Sequence, residues 1–180
     1  MPPDLWVFGY GSLIFRADFP FVDRRPATIQ HWTRRFWQGS RDHRGTPEAP
    51  GRVVTLISAP DEVCWGIAYR IAGHEIDAVL DHLDYREKGG YDRLDITISI
   101  APEQNVRGLT YHAVEGNADY LGRSDSNAIV RQISTAVGPS GPNRDYLLQL
   151  ESSLKQHHIE DQHVFELADQ LRAYESRKPT

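Results

Sequence analysis

The sequence predicts an α+β fold in which six short strands make a small mixed barrel, closed or nearly closed, flanked by helices. Three observations point there. Segments rich in Val, Ile, Thr, Tyr and Trp crowd the N-terminal part of the chain, bounded by Gly, Pro and Asp, while helical patterns dominate the C-terminal part. The strand-and-helix alternation of a doubly wound sheet is missing. With 180 residues and 39% hydrophobic content, the chain fits one domain over 1–180, able to bury a core without disulfides or metals.

The first element is the apolar run Leu5-Trp6-Val7-Phe8, a strand that stops at Gly9-Tyr10-Gly11-Ser12 and continues into Leu13-Ile14. Glycine lets a ligand approach the main chain closely, so consecutive amides from Gly9 to Leu13 can converge on a carboxylate, phosphate or oxyanion. The competing reading is a tight turn without a ligand. A dinucleotide fingerprint is excluded, because Ile14 stands where the third glycine belongs and Pro20 interrupts any helix that follows.

Further strands are expected over 28–37, 52–58, 63–71, 91–100 and 107–115. A helix over 73–87 separates the fourth of these six strands from the fifth. From Asp125 onward the chain reads as helical, broken at Gly138-Pro139-Ser140-Gly141-Pro142, and residues 177–180 read as a frayed tail.

Charge narrows the function classes. Twenty basic against 25 acidic residues give a net charge of −5, which argues against a general polyanion binder. Seven arginines (24, 25, 34, 35, 41, 44 and 52) nevertheless fall between Arg24 and Arg52, interleaved with Trp32, Phe36 and Trp37. Without an RNP-type signature or basic character elsewhere, they suit carboxylates better than a nucleic-acid strand, and most of them singly fit a solvated strand edge. No apolar run reaches the length of a membrane span, and no basic region followed by an apolar core opens the chain. Cys64, the single cysteine, lies in an apolar run and reads as a small core residue, so the expected setting is cytoplasmic. The expected partner is a small molecule, with no nucleic acid, no membrane and no obligate protein partner. His157, His158 and His163 cluster, but they lack cysteines or paired carboxylates at ligand spacing, so no metal is expected.

The helix over 73–87 carries the most informative side chain. Ile76, Val79, Leu80 and Leu83 define its apolar face, and at about 100° per residue Glu87 falls about 20° from Ile76. Asp77, Asp81 and Asp84 lie to the side or opposite. A partly desolvated Glu87 would have its pKa pushed upward, toward the range of a good proton acceptor at neutral pH. The alternative is a helix-end glutamate that escapes to solvent or pairs with Arg86 or Lys88.

Four motifs, the second of them in three pieces, together carry a resemblance to a known family. They are Val7-Phe8-Gly9-Tyr10-Gly11-Ser12-Leu13-Ile14, Arg34-Arg35-Phe36-Trp37-Gln38-Gly39-Ser40 with Asp42-His43-Arg44-Gly45 and Pro50-Gly51-Arg52-Val53-Val54, Tyr85-Arg86-Glu87-Lys88-Gly89-Gly90-Tyr91, and Gly138-Pro139-Ser140-Gly141 with Asn143 and Tyr146-Leu147. In this order and spacing they resemble the ChaC family of glutathione-specific γ-glutamylcyclotransferases, from Trp6 to about Leu150. The length, without long extensions, is similar to the shorter, constitutive type, and Phe15 departs from the tryptophan expected there.

The resemblance implies a barrel-like α+β fold and cleavage of glutathione to 5-oxoproline and Cys-Gly without metal or cofactor. It implies Glu87 as general base and acid and the stretch from Val7 through Phe8, Gly9, Tyr10, Gly11 and Ser12 as the nest for the substrate's α-carboxylate. Amides of the same turn through Leu13 would serve the oxyanion, with Tyr146 as a further donor or, alternatively, a core tyrosine on the face it shares with Leu150. Arg34 or Arg35, with Arg35 the stronger candidate, would receive the glycyl carboxylate. Open alternatives are a cyclotransferase for other γ-glutamyl amino acids or amines and a non-catalytic carboxylate-binding module.

Overall fold

A computed structural model describes residues 2–177. Of the expected tail, Lys178 to Thr180 lie outside the described residues, and Arg177 lies in a turn that follows the last helix. The chain divides into two compact units, one built from residues up to Arg34 together with 56–114, the other from 35–55 together with 115 onward.

The barrel comprises β1 (Leu5–Gly9), β2 (Asp23–Ser40), β3 (Gly51–Ile71), β4 (Tyr91–Ala101) and β5 (Gln104–Ala113), closed in the order β1-β3-β2-β4-β5. β1 is its keystone. It runs antiparallel to β3, with Val7 opposite Tyr69, and parallel to β5, with Val7 opposite Leu109, which makes the sheet mixed. Val7, Phe8, Ile29, Ile67, Tyr69, Ile71 and Ile98 are buried and fill the first unit.

Six strands were expected for the barrel, and among the described residues five form it. The segments expected over 52–58 and 63–71 are one strand, β3, running through Ala59-Pro60-Asp61-Glu62. Residues 60–63 are exposed, so no apolar alternation marks them as strand, and Pro60 reads as a stop. Across from them His31 adopts a left-handed conformation, φ 69°, and its Nδ1 sits 2.5 Å from the Pro60 carbonyl oxygen. β2 begins at Asp23, earlier than expected, through the exposed Arg24, Arg25 and Pro26.

The first unit also contains α1 (Ile76–Arg86), preceded by one 3-10 turn and burying Val79 and Leu83 as its periodicity predicts. The second unit contains α2 (Ser126–Thr135), α3 (Asn143–Gln156) and α4 (Gln162–Glu175). Asp125 caps α2 by accepting from Ala128 N–H at 2.9 Å, and Asp161 caps α4 from Val164 N–H at 3.1 Å. Ile129, Ile133, Leu147, Leu150, Leu154, Leu167 and Leu171 pack the three helices together. The break at 138–142 is a miniature hairpin, with β6 (Val137–Gly138) paired to β7 (Gly141–Pro142). Cys64 is a buried core side chain. No helix among the described residues is long and apolar enough to cross a membrane.

Candidate active site

The turn after β1 is made by a strand end that folds back on itself. A Cβ placed on Gly9 would lie 2.4 Å from the Leu13 Cβ, so only glycine permits the return. Gly66 on β3 is equally constrained, since its Cβ would sit 2.3 Å from the Gly9 carbonyl oxygen. A single 3-10 turn over Ser12–Ile14 follows, closed by Ile14 N–H to Gly11 O at 3.0 Å.

The hydrogen bonding of this turn is one-sided. Phe8 O accepts from Thr110 Oγ1 at 2.8 Å, Tyr10 O from Arg34 Nη1 at 2.5 Å, Leu13 O from the Tyr69 hydroxyl at 2.5 Å, and Ile14 O from Arg24 Nη2 at 3.3 Å. Ser12 O takes the N–H groups of Phe15 and Arg16. Among the described residues, the N–H groups of Gly11, Ser12 and Leu13 donate to no protein acceptor, although Gly11 and Leu13 are buried. Buried amides need partners, and adjacent ones aimed outward from a turn suit an anion. Val7 and Phe8 are sealed in the barrel wall, where they fix the direction from which the turn departs.

Glu87 does not continue α1, as the periodicity suggests, but caps it. The helix stops at Arg86, and Glu87 takes φ −96°, ψ 12°, with its N–H bonded to Leu83 O at 2.8 Å. Its side chain is 20% exposed and lies 3.6 Å from Arg86 Nε. The two sequence readings of Glu87 therefore meet, since it is both half-buried and beside Arg86. Arg86 in turn donates from Nη2 to Ser12 Oγ at 2.7 Å, so one guanidinium reaches both the glycine turn and the helix-end carboxylate. It also holds Asp18, whose Oδ1 is 2.5 Å from Nη1. Burial would raise the Asp18 carboxyl, but the Arg86 charge and a bond from His82 outweigh it and hold it below its ordinary value.

Asp84, the next carboxylate along the helix, is engaged elsewhere. Arg93 binds it through Nε at 2.8 Å and through Nη2, and the Tyr111 hydroxyl donates to it at 2.6 Å. The Arg93 hydrogen bonds hold its carboxyl below the ordinary range, which makes it a poor proton acceptor.

Consecutive residues of a strand face opposite ways, and this separates the two adjacent arginines. Arg34 is 2% exposed and is spent on the carbonyls of Tyr10 and Trp65, bracing the turn from below. Arg35, in the second unit, lines a cleft of about 360 Å³ with Trp37, Arg123, Ser124, Ser126 and Glu166. Tyr146, also in the second unit, is 5% exposed; its ring meets Phe36 edge-on at 5.9 Å, and its hydroxyl accepts from Val54 N–H at 3.4 Å. The structure thus brings Val7 to Leu13 and Glu87 together in one unit and sets Arg35 and Tyr146 in the other.

Sequence reasoning missed the burial of Arg34, Arg44 and Arg52, which a solvated strand edge does not describe. Arg52 donates to Gln132 Oε1, Phe36 O, Gly122 O and Ser124 Oγ at 2.7 to 3.3 Å, while Asn143 bonds both its N–H and its carbonyl. Burial lowers the Arg52 pKa from its ordinary value. His163 belongs to the packing too, its Nε2 accepting from Phe36 N–H at 3.0 Å. Among the described residues no group of three His, Cys, Asp or Glu side chains is arranged to hold a metal ion.

A family model described as ChaC-like protein matches residues 5–174, taking in α4 as well as the motifs before it. Gamma-glutamylcyclotransferase 2-3 of Arabidopsis thaliana is 48% identical over 178 residues, spanning 93% of this chain and 88% of that protein. Human glutathione-specific gamma-glutamylcyclotransferase 1 is 40% identical over 174 residues, spanning 93% of this chain and 78% of that one. Among solved structures, a yeast gamma-glutamyl cyclotransferase specific to glutathione superposes with a TM-score of 0.88 at 28% identity, covering 96% of this chain and 97% of the other.

Proposed function

The chain belongs to the ChaC-like family, and from that membership we propose that it is a glutathione-specific γ-glutamylcyclotransferase, converting glutathione to 5-oxoproline and Cys-Gly. The substrate's own α-amine attacks its γ-carbonyl carbon. A carbon–nitrogen bond closes the five-membered lactam and the bond from the same carbon to the cysteinyl nitrogen breaks; the attacking nitrogen sheds two protons between ammonium and lactam N–H, and Glu87 relays them in turn to the departing nitrogen, which leaves as the ammonium of Cys-Gly.

The observation that carries this reading is the trio of unpartnered N–H groups at Gly11, Ser12 and Leu13, linked through Arg86 to a half-buried carboxylate. Folding the γ-glutamyl end back on itself costs conformational entropy, and a nest that grips its α-carboxylate offsets that cost. Amides of the same turn stabilise the oxyanion as it develops. Arg35 as receiver of the glycyl carboxylate, Tyr146 as a hydrogen-bonding group for the oxyanion, a reaction without cofactor and a cytoplasmic setting belong to the same proposal.

The test is product release from reduced glutathione and, separately, from γ-glutamyl-alanine. 5-Oxoproline with Cys-Gly from the first and nothing from the second is the expected result. Equal turnover of both would transfer the enzyme to γ-glutamyl amino acids in general, and turnover of neither would leave a carboxylate-binding module. An Arg35→Ala variant is expected to raise KM for glutathione, and an unchanged KM would remove Arg35 from the site.

A further inference from the structure

Arg86 is more extensively engaged than an ion pair requires. Its Nη1 faces Asp18 Oδ1 at 2.5 Å and Arg16 O at 3.2 Å, its Nη2 donates to Ser12 Oγ at 2.7 Å, and its Nε lies 3.6 Å from Glu87 Oε1. All three guanidinium nitrogens are thus directed, and the side chain is only 13% exposed. A bond to Asp18 alone would fasten the helix to the segment after the turn, and His82, one helical turn earlier, already reaches Asp18 at 3.2 Å. The Ser12 and Glu87 contacts add something else: they tie the turn that offers the amides to the residue that carries the proton.

We propose that Arg86 is the positioning residue of this reaction, setting Ser12 and Glu87 at their working separation while Asp18 anchors the guanidinium from behind. The inference rests on the cyclotransferase reading. At 3.6 Å, the Nε contact is too long for a hydrogen bond and holds the carboxylate in place as a neighbouring positive charge. Geometry requires arginine here. A lysine would place one compact charge near Asp18 and could not direct separate donors at Ser12, Asp18 and Glu87.

The experiment compares wild type, Arg86→Lys and Arg86→Ala in 5-oxoproline release, with melting temperatures measured alongside. Wild-type turnover of glutathione tests the cyclotransferase reading by itself; its absence would end that reading whatever Arg86 does. Given wild-type turnover, Arg86→Lys is expected to stay folded and to lose about a hundred-fold in kcat, more than KM rises, because misplacement of reacting groups by about 1 Å costs that much. Arg86→Ala is expected to recover activity, saturably, with added methylguanidinium and not with urea or methylammonium, a response that a destabilised but otherwise competent site would not give. Wild-type kcat in Arg86→Lys would overturn the positioning role, as would a folded Arg86→Ala that methylguanidinium leaves unchanged. If Arg86→Ala does not fold, Arg86→Lys decides alone.

Discussion

Adding one methyl group to Gly9 should cost activity as well as stability. The new Cβ would lie 2.4 Å from the Leu13 Cβ, whereas carbon atoms in ordinary contact stay near 3.4 Å or beyond, so the turn must give by 3.4 − 2.4 = 1.0 Å. Overpacking of this kind costs about 1–3 kcal/mol of stability, and a protein of this length loses about 2–4 °C of melting temperature per kcal/mol. Displacing the amides of Gly11 to Leu13 by the same 1.0 Å should cost about a hundred-fold in kcat/KM. Steady-state release of 5-oxoproline and a thermal melt of Gly9→Ala measure the two effects on the same sample. Leu13→Ala, added as a second substitution, should not restore activity, because alanine keeps the Cβ that clashes. Wild-type kcat/KM in Gly9→Ala would refute the reasoning, since a working turn would then tolerate a displacement that the nest cannot.

Two further outcomes follow from buried and paired charges. Arg52→Lys loses the fork that serves Gln132, Phe36, Gly122 and Ser124 and should destabilise the protein by about 2–5 kcal/mol in a denaturant melt; a change under about 0.5 kcal/mol would contradict that role. The Asp84 carboxyl, held below its ordinary value of 3.8 by Arg93, contributes stability that is fully present above 3.8 and is lost as pH falls through its lowered folded-state pKa. Asp84→Asn should therefore flatten the acid limb of a melting-temperature profile while leaving glutathione turnover at neutral pH close to wild type, and abolished turnover would make Asp84 the base.

Much of this was legible in the residues, for physical reasons that also mark where legibility ends. Leu5 to Phe8 and the glycines after it announce a strand and a sharp return, because apolar β-formers and a residue without a Cβ leave few alternatives. The apolar face of α1 is read correctly from Val79 and Leu83, yet one residue decides whether Glu87 is inside the helix or caps it, and helix ends are where periodicity says least. The sequence divides β3 in two because 60–63 are exposed and contain a proline, while the His31 ring that meets the Pro60 carbonyl lies on another strand. Arg34 and Arg35 are indistinguishable as letters. Only the register of β2 sends one inward to the carbonyls of Tyr10 and Trp65 and the other to a cleft. Arg86 drew notice only as a possible neighbour for Glu87; its reach to Ser12 and Asp18 depends on where the chain returns more than sixty residues apart, which no local pattern encodes.

The most direct test is Glu87→Gln, which keeps the shape of the side chain and removes its capacity to take a proton. Purified wild type and variant would be given reduced glutathione at equal folded concentration, and 5-oxoproline and Cys-Gly followed together. Loss of a general base costs about 10²- to 10⁴-fold, so both products should fall by that factor while glutathione still protects the variant against thermal unfolding. Turnover by Glu87→Gln within a few-fold of wild type would contradict the account, because the proton would then travel by a route that does not include this carboxylate.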